Sequence, residues 1–453
     1  MEKTYQKLIW CFYRHFKIIP LLIAGLLLFS PTQSFAGMTI ISDEETELYL
    51  QDILKPIFKA AAIPFDRNKV FIVQDNTLNA FVGDGNNLFI HSETILKAKT
   101  DDELRGVLAH EAGHILGGHI IRYKLRMQEM QNVSLASMVL AGAAGIASGR
   151  GDVAAAIALG SHSSLINQSL AYQIQEERSA DESAVILLNK IHHSPQGLLD
   201  FMKKIQLQNK LQGIEENPYY RTHPMSNERI SFLQQAIKKS PYPAEKYGSE
   251  KLQRIQAKLY AFIKTPQQTN IKYPLSDTSI PASYAHAVAA FKNLQCIKAQ
   301  NIIETLITKE PNNPHFRELK AQILFEQGKI REARQEFAQS VRLLPSSILF
   351  KISEAQATLE LSPTPAELKS IIAKLQQILS VRSNTLAWLL LSRAYHLNHQ
   401  EAEAQYAAAR YTIVASGDLK LAKRQAEMAK KKSTDPKLTI KIDDLLNLLK
   451  QVK

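Results

Sequence analysis

Apolar residues recur at helical spacing from Thr46 to Ala62, which predicts an amphipathic helix. Lys69-Val-Phe-Ile-Val73 and Asn87-Leu-Phe-Ile-His91 are short runs rich in β-branched and aromatic residues, with the turn-forming Gly83-Asp84-Gly85 between them, so a small sheet is expected there. Thr100-Asp101-Asp102-Glu103 has the form of a capping box, with Thr100 closing the free N–H groups and Glu103 reaching back. A helix should start at this point and run through at least Ile115. Pro266, Pro274 and Pro281 interrupt the polar stretch 264–279, which reads as a linker. Beyond it the pattern is helical and repetitive. Pro311 and Pro345 stand 34 residues apart; Ala299 precedes the first, Ala333 and Phe337 the second, and Gly328 separates two helices. These are tetratricopeptide spacings, in which small residues sit where paired helices cross. Degenerate units follow, one with Trp388 and Tyr395, another with Tyr406, Gly417, Ala422, Ala426 and Ala429, and the unit around Ser362-Pro-Thr-Pro365 is irregular.

The first 36 residues follow a different logic. Lys3, Lys7, Arg14 and Lys17 precede an apolar run from Ile18 to Phe29 that ends at Ser34-Phe35-Ala36, the pattern of a cleaved secretory signal. The run is shorter than the ~20 residues that span a bilayer. Cleavage would lower the net charge from +12 to +9 and remove Cys11, so that Cys296 cannot form an internal disulfide. The fold would then stand on its core in an oxidising compartment without a disulfide. With 45% hydrophobic and 22% charged residues in 453, the composition is that of an ordinary globular chain of two or three domains. The basic balance alone supports no nucleic-acid partner.

The chemistry centres on Leu108-Ala-His110-Glu111-Ala-Gly-His114. Four residues apart on a helix, His110 and His114 present two imidazoles to one Zn²⁺, and Glu111 falls beside the metal's open position, where it can act as general base. Leu104, Val107 and Leu108 give that helix its apolar face. A third ligand is required. The position six residues after His114 is Ile120, with His119 out of register by one, so the metzincin pattern is excluded. In Gln175-Glu176-Glu177-Arg178-Ser179-Ala180-Asp181, the four-residue spacing puts Glu177 and Asp181 on one face: Glu177 as ligand, Asp181 as acceptor for the second N–H of a ligating histidine. His223 and Arg229, in Arg221-Thr-His223-Pro224-Met-Ser-Asn-Glu-Arg229, could donate hydrogen bonds to a tetrahedral oxyanion.

In this order, His110-Glu111-x-x-His114, Glu177-x-x-x-Asp181 and His223-Pro with Arg229 resemble the minigluzincin-type zinc metallopeptidases that include HtpX and the CAAX prenyl proteases. Asn79-Ala80-Phe81 and Gly83-x-Gly85 also look like theirs. The resemblance implies an α+β zincin-like metallopeptidase domain with one zinc per chain, held by His110, His114 and Glu177. With the signal segment and the repeats added, it narrows to periplasmic members in Gram-negative bacteria that degrade misassembled outer-membrane barrel proteins, help their assembly, and dock on the barrel-assembly machinery through their repeats. In such a member a histidine matching His223 is a fourth zinc ligand that keeps the enzyme latent, a role that competes with oxyanion stabilisation.

The expected organisation is a signal peptide at 1–36, a zinc metallopeptidase domain at 37–263, a linker at 264–279, an all-α tetratricopeptide solenoid at 280–436 and a basic tail at 437–453. Substrate is expected to add as a strand along the sheet near Asn87–His91. A chaperone or scaffold with a latent or structural zinc site is the alternative function. Between Gln131 and Gln168 the charges are only Arg150 and Asp152, and the small-residue blocks around Ser148-Gly-Arg-Gly151 read either as packed core helices or as a lid over the site. Lys430-Lys-Lys432 reads as a solvated helix end, with peripheral contact to an anionic lipid surface as the weaker reading.

Overall fold

A computed structural model describes residues 34–35, 38–148, 172–212, 219 and 223–451. The expected signal segment lies outside these residues except for Ser34–Phe35, and so do residues 149–168 of the small-residue stretch. The chain divides into two compact units, one running from Asp43 to Pro311 and the other combining the segment before Asp43 with residues from Asn312 onward.

In that leading segment β1 (Ser34–Phe35) pairs antiparallel with β2 (Met38–Ile41). The unit that follows opens with α1 (Glu44–Ala60), whose N-terminus is closed by the Asp43 carboxylate accepting from the Thr46 N–H at 3.0 Å. Leu50, Leu54 and Ile57 on its inner face are wholly buried, each contributing about 1.5–3 kcal/mol. A small sheet follows: β3 (Val70–Val73), β4 (Ala80–Gly83) and β5 (Asn87–His91). β5 is central, parallel to β3 through Val70↔Leu88 and antiparallel to β4 through Ala80↔Ile90. β4 forms the outer edge. Gly85 adopts φ 68° in the turn between β4 and β5, as the Gly-Asp-Gly sequence suggests.

After the short α2 (Ser92–Lys97) comes α3 (Asp101–Gly117). The capping box forms only in part: Thr100 Oγ1 accepts from the Glu103 N–H at 3.2 Å, but Glu103 accepts from the Lys99 N–H at 2.9 Å and from Lys204. The two following acids anchor the helix start to the rest of the unit. Asp101 accepts from the Tyr49 hydroxyl (2.7 Å) and the Ser249 N–H (2.6 Å), while Asp102 meets Arg105 and His193 (3.0 Å) and its own N–H donates to Glu245 at 2.8 Å. Arg105 supplies the cation of this group, which makes it an ion-pair network rather than a second metal site.

α4 (His119–Ser148), α5 (172–190) and α6 (Gln196–Gln212) follow, then α7 (Asn227–Lys239), α8 (Glu250–Ile263) and α9 (Pro266–Lys272). α9 occupies the stretch expected to be a linker. Thr265 and Gln268 build a complete capping box around Pro266, so this proline starts a helix instead of breaking one. α10 (Ile280–Lys292) packs on α8, with the Tyr284 hydroxyl 3.2 Å from Glu45, and α11 (Cys296–Lys309) closes the unit.

The second unit is built of consecutive packed helices: α12 (Pro314–Glu326), α13 (Ile330–Leu343), α14 (Ile348–Leu359), α15 (Pro365–Val381), α16 (Thr385–Leu397), α17 (Glu401–Ser416), α18 (Leu419–Lys432) and α19 (Pro436–Gln451). Ala321, Ala333, Phe337 and Ala357 form one buried cluster, and Gly328 makes its turn at φ 75°. α19 replaces the expected basic tail. Its Leu438, Ile442, Leu445, Leu446 and Leu449 recur at helical spacing and cover Ala422, Ala426 and Ala429 of α18. Lys430, Lys431 and Lys432 are exposed at the end of α18, as expected, with Lys430 2.7 Å from Asp443 and Lys432 3.5 Å from Glu401. Among the described residues no helix is long and apolar enough to cross a membrane.

Candidate metal centre

Three glycines set how closely the helices of the site approach. A Cβ at Gly106 of α3 would stand 2.5 Å from the Leu198 N of α6, and one at Gly197 only 2.0 Å from the Asp102 carbonyl oxygen. At Gly113 it would lie 2.7 Å from the Ala180 carbonyl oxygen of α5. The helix carrying His110, Glu111 and His114 thus meets the helix carrying Glu177 and Asp181 backbone to backbone.

At that crossing His110 Nε2 and His114 Nε2 are 3.1 Å apart. Glu177 Oε2 lies 3.3 Å from His110 Nε2, and Oε1 lies 3.2 Å from His114 Nε2. His223 Nδ1 completes the group at 3.4 Å from His110 Nε2 and 3.0 Å from Glu177 Oε1. A tetrahedral ion with bonds of about 2.0–2.1 Å holds its donors ~3.3 Å apart. The four side chains, all buried, therefore fit a metal ion as they stand. His223 is placed by its N–H donating to the Tyr219 carbonyl at 2.7 Å and by Nε2 at 3.2 Å from the Ala80 carbonyl of β4.

Asp181 Oδ1 is 2.9 Å from His110 Nδ1, behind the metal-facing nitrogen. Arg229, expected as an oxyanion donor, is engaged elsewhere. Its Nε and one terminal nitrogen donate to Asp181 at 2.6 and 2.9 Å, and the other donates to Glu177 (2.8 Å) and to the Pro224 carbonyl (2.8 Å). The guanidinium thus braces both carboxylates. Ser226 caps the first turn of α7 and brings Arg229 inward. Glu176 turns away from the cluster into a two-pronged pair with Arg126 at 2.8 Å.

Burial opposes charge on His110, but Asp181 and Glu177 beside it outweigh the burial and raise its pKa to about 10. Burial prevails at His114 and lowers it to about 3. Glu177 is held well below the ordinary carboxylate range, against its burial, by His223, His110 and His114. Glu111 is pushed up by burial; it is wholly buried, and neither carboxylate oxygen accepts a hydrogen bond of ordinary geometry. A buried carboxylate beside a metal-fitting cluster, with His223 Nε2 3.5 Å from its Oε1 and the Val82 backbone against it, is placed to receive a proton.

Residues 44–237 match the profile of Peptidase family M48. This segment belongs to that family. The M48 domain spans α1 to α7, and M48 peptidases are metalloproteases, which agrees with the donor cluster. The chain is similar to the beta-barrel assembly-enhancing protease of Escherichia coli strain K12, 22% identical over 358 residues that cover 76% of this chain and 70% of that protein. It is 25% identical to the Yersinia pestis protein of the same name over 278 residues, 57% of this chain and about half (54%) of the relative. The metalloprotease LoiP of E. coli K12 is 27% identical over 165 residues, 36% of this chain and 60% of that protein.

Two features of the M48 domain escape a reading of the sequence. Substrate is expected to add to the sheet near Asn87–His91, but β5 itself is paired on both sides, by β3 and by β4, so it cannot be the receiving strand. Among the described residues the edge strand beside β5 is β4, whose Val82 lies against Glu111 and whose Ala80 carries the contact to His223. The second feature is His119, set aside in the sequence for its register, which is buried against His114 at 2.8 Å between their Nδ1 atoms.

Proposed function

We propose that the chain is a periplasmic zinc endopeptidase of the gluzincin type that acts on misassembled outer-membrane barrel proteins and assists barrel assembly, and that the described state is latent. The reading is carried by one observation: His223 fills the fourth corner of the donor set through Nδ1 while its Nε2 stands 3.5 Å from Glu111 Oε1, so one side chain occupies both the metal corner and the neighbourhood of the base. Zinc in this site would supply Lewis acidity, polarising the scissile carbonyl and making a bound water more acidic. His110, His114 and Glu177 would hold it. Arg229 and Asp181 keep His110 and Glu177 oriented. For turnover His223 leaves the cluster, the substrate backbone pairs with β4, and Glu111 takes a proton from the attacking water and passes it to the leaving amine. The barrel-protein substrates are supported by the names of the relatives at 21–25% identity, the repeat architecture as a partner surface by the helix pairs of the second unit, and periplasmic residence by the pattern of residues 1–36.

His223→Ala tests latency. If His223 is a plug, proteolysis of an unfolded barrel substrate rises; a fall in kcat with unchanged metal content assigns it to the oxyanion instead. A chaperone or scaffold is the second reading, favoured by the same closed set of four protein donors, since structural zinc sites are closed and catalytic ones keep an open position. It predicts that removing residues 312–453 abolishes support of barrel assembly while Glu111→Gln leaves it intact. The cut belongs at 312, because α10 and α11 pack within the catalytic unit.

A further inference from the structure

His119 lies at the first residue of α4, where Gly118 at φ 62° turns the chain back on α3. Its imidazole folds over Gly117 so closely that a Cβ at 117 would be 2.1 Å from His119 Nε2. The ring is 2% exposed, with Nδ1 2.8 Å from His114 Nδ1, and Nε2 buried without a hydrogen-bond partner. Two Nδ1 atoms at that distance share one proton, and the cluster decides whose it is. A histidine that offers Nε2 to a cation carries its proton on Nδ1. His110 satisfies this rule through Asp181. For His114 to do so, its Nδ1–H must donate and His119 Nδ1 must accept, which leaves the His119 proton on the orphaned Nε2. The opposite assignment would put a proton on His114 Nε2, aimed at His110 Nε2 and Glu177.

We infer that His119 is the positioning residue for His114: a neutral imidazole that accepts the His114 Nδ1–H and thereby fixes Nε2 as the metal-facing atom. It does for the second ligand what Asp181 does for the first, with an uncharged acceptor in place of a carboxylate. An unpaired buried N–H is unfavourable on its own, so the orphaned His119 Nε2 is explained by a requirement at the other end of the ring.

The inference rests on reading the cluster as a zinc centre, and the experiment separates the two. Zinc affinity of the full chain is measured by chelator competition for the wild type, His119→Phe, His119→Asn and Gly117→Ala, alongside thermal unfolding of the metal-free proteins. Phe keeps the ring without an acceptor; Asn places Oδ1 near the Nδ1 position; Ala at 117 displaces the ring. The expected result is a loss of about 10–100-fold in zinc affinity for Phe and for Gly117→Ala, with Asn close to wild type. A wild type that binds no zinc overturns the centre itself. A Phe variant that binds zinc as tightly as wild type, or an Asn variant as weak as Phe, overturns the role of His119 and leaves the centre standing. ¹⁵N NMR of the zinc-loaded wild type gives a reading that needs no variant: the shared proton belongs on His114 Nδ1, and finding it on His119 overturns the inference.

Discussion

Glu111→Gln is expected to lower peptide hydrolysis by about 10²–10⁴-fold while leaving metal content unchanged and the melting temperature equal or higher. The amide keeps the shape of the side chain but cannot accept a proton from water. Glu111 takes no place among the clustered donors, so metal retention does not depend on it. Burial is the largest influence on this carboxylate and its contact with His223 Nε2 is long, at 3.5 Å, so a neutral group there relieves more desolvation than it loses in pairing. The assay follows cleavage of a denatured barrel protein, with zinc quantified on the same samples. Undiminished cleavage by this variant would remove Glu111 from the chemistry.

The second large effect is expected from Gly113→Ala, a single added methyl group. Its Cβ would stand 2.7 Å from the Ala180 carbonyl oxygen, 3.0 Å from Ala180 Cα and 3.1 Å from Ser183 Cβ. The first two are backbone atoms of α5 that no rotamer change can move, so α3 and α5 have to separate. Overpacking of this kind costs about 1–3 kcal/mol of stability. The separation also pulls His110 and His114 away from Glu177, and a misplacement of that order lowers activity by roughly 10²-fold. Gly106→Ala is the control. Its clash is with Leu198 of α6, away from the donors, so it should lower the denaturant midpoint with a much smaller change in metal affinity. Equal metal affinities for the two variants would refute the view that the Gly113 crossing sets donor spacing.

The parts of the site legible in the sequence were those governed by helical periodicity. His110 with His114 and Glu177 with Asp181 each share a face because four residues complete about one turn, and each pair lies within one helix. The elements around them followed from the same local rules, α3 beginning after Thr100 and β5 matching 87–91. What the sequence left open depends on distant encounters. Arg229 looks like a free donor until α7 is packed and both its carboxylate partners are in place. The choice of β4 over β5 as the free edge is a matter of strand order, which the hydrophobic pattern does not encode. Spacing alone sets His119 outside a metal's reach, whereas its contact is with the His114 imidazole and depends on the left-handed turn at Gly118. The basic tail expected at 437–453 is instead a packed helix, because Leu438, Ile442, Leu445 and Leu449 recur at helical spacing and find the alanines of α18 to cover.

The bond from His223 to the Ala80 carbonyl has a kinetic consequence. A peptide that adds to β4 needs that same carbonyl, so strand pairing and the seated His223 compete for one oxygen atom, and pairing is thermodynamically linked to the departure of the histidine. Long peptides, with more backbone to pair along residues 80–83, gain more from displacing the histidine than short ones. Chain length of the substrate then sets the fraction of enzyme that is open, and an uncleavable strand-forming peptide at low concentration should accelerate the hydrolysis of short peptides before it inhibits.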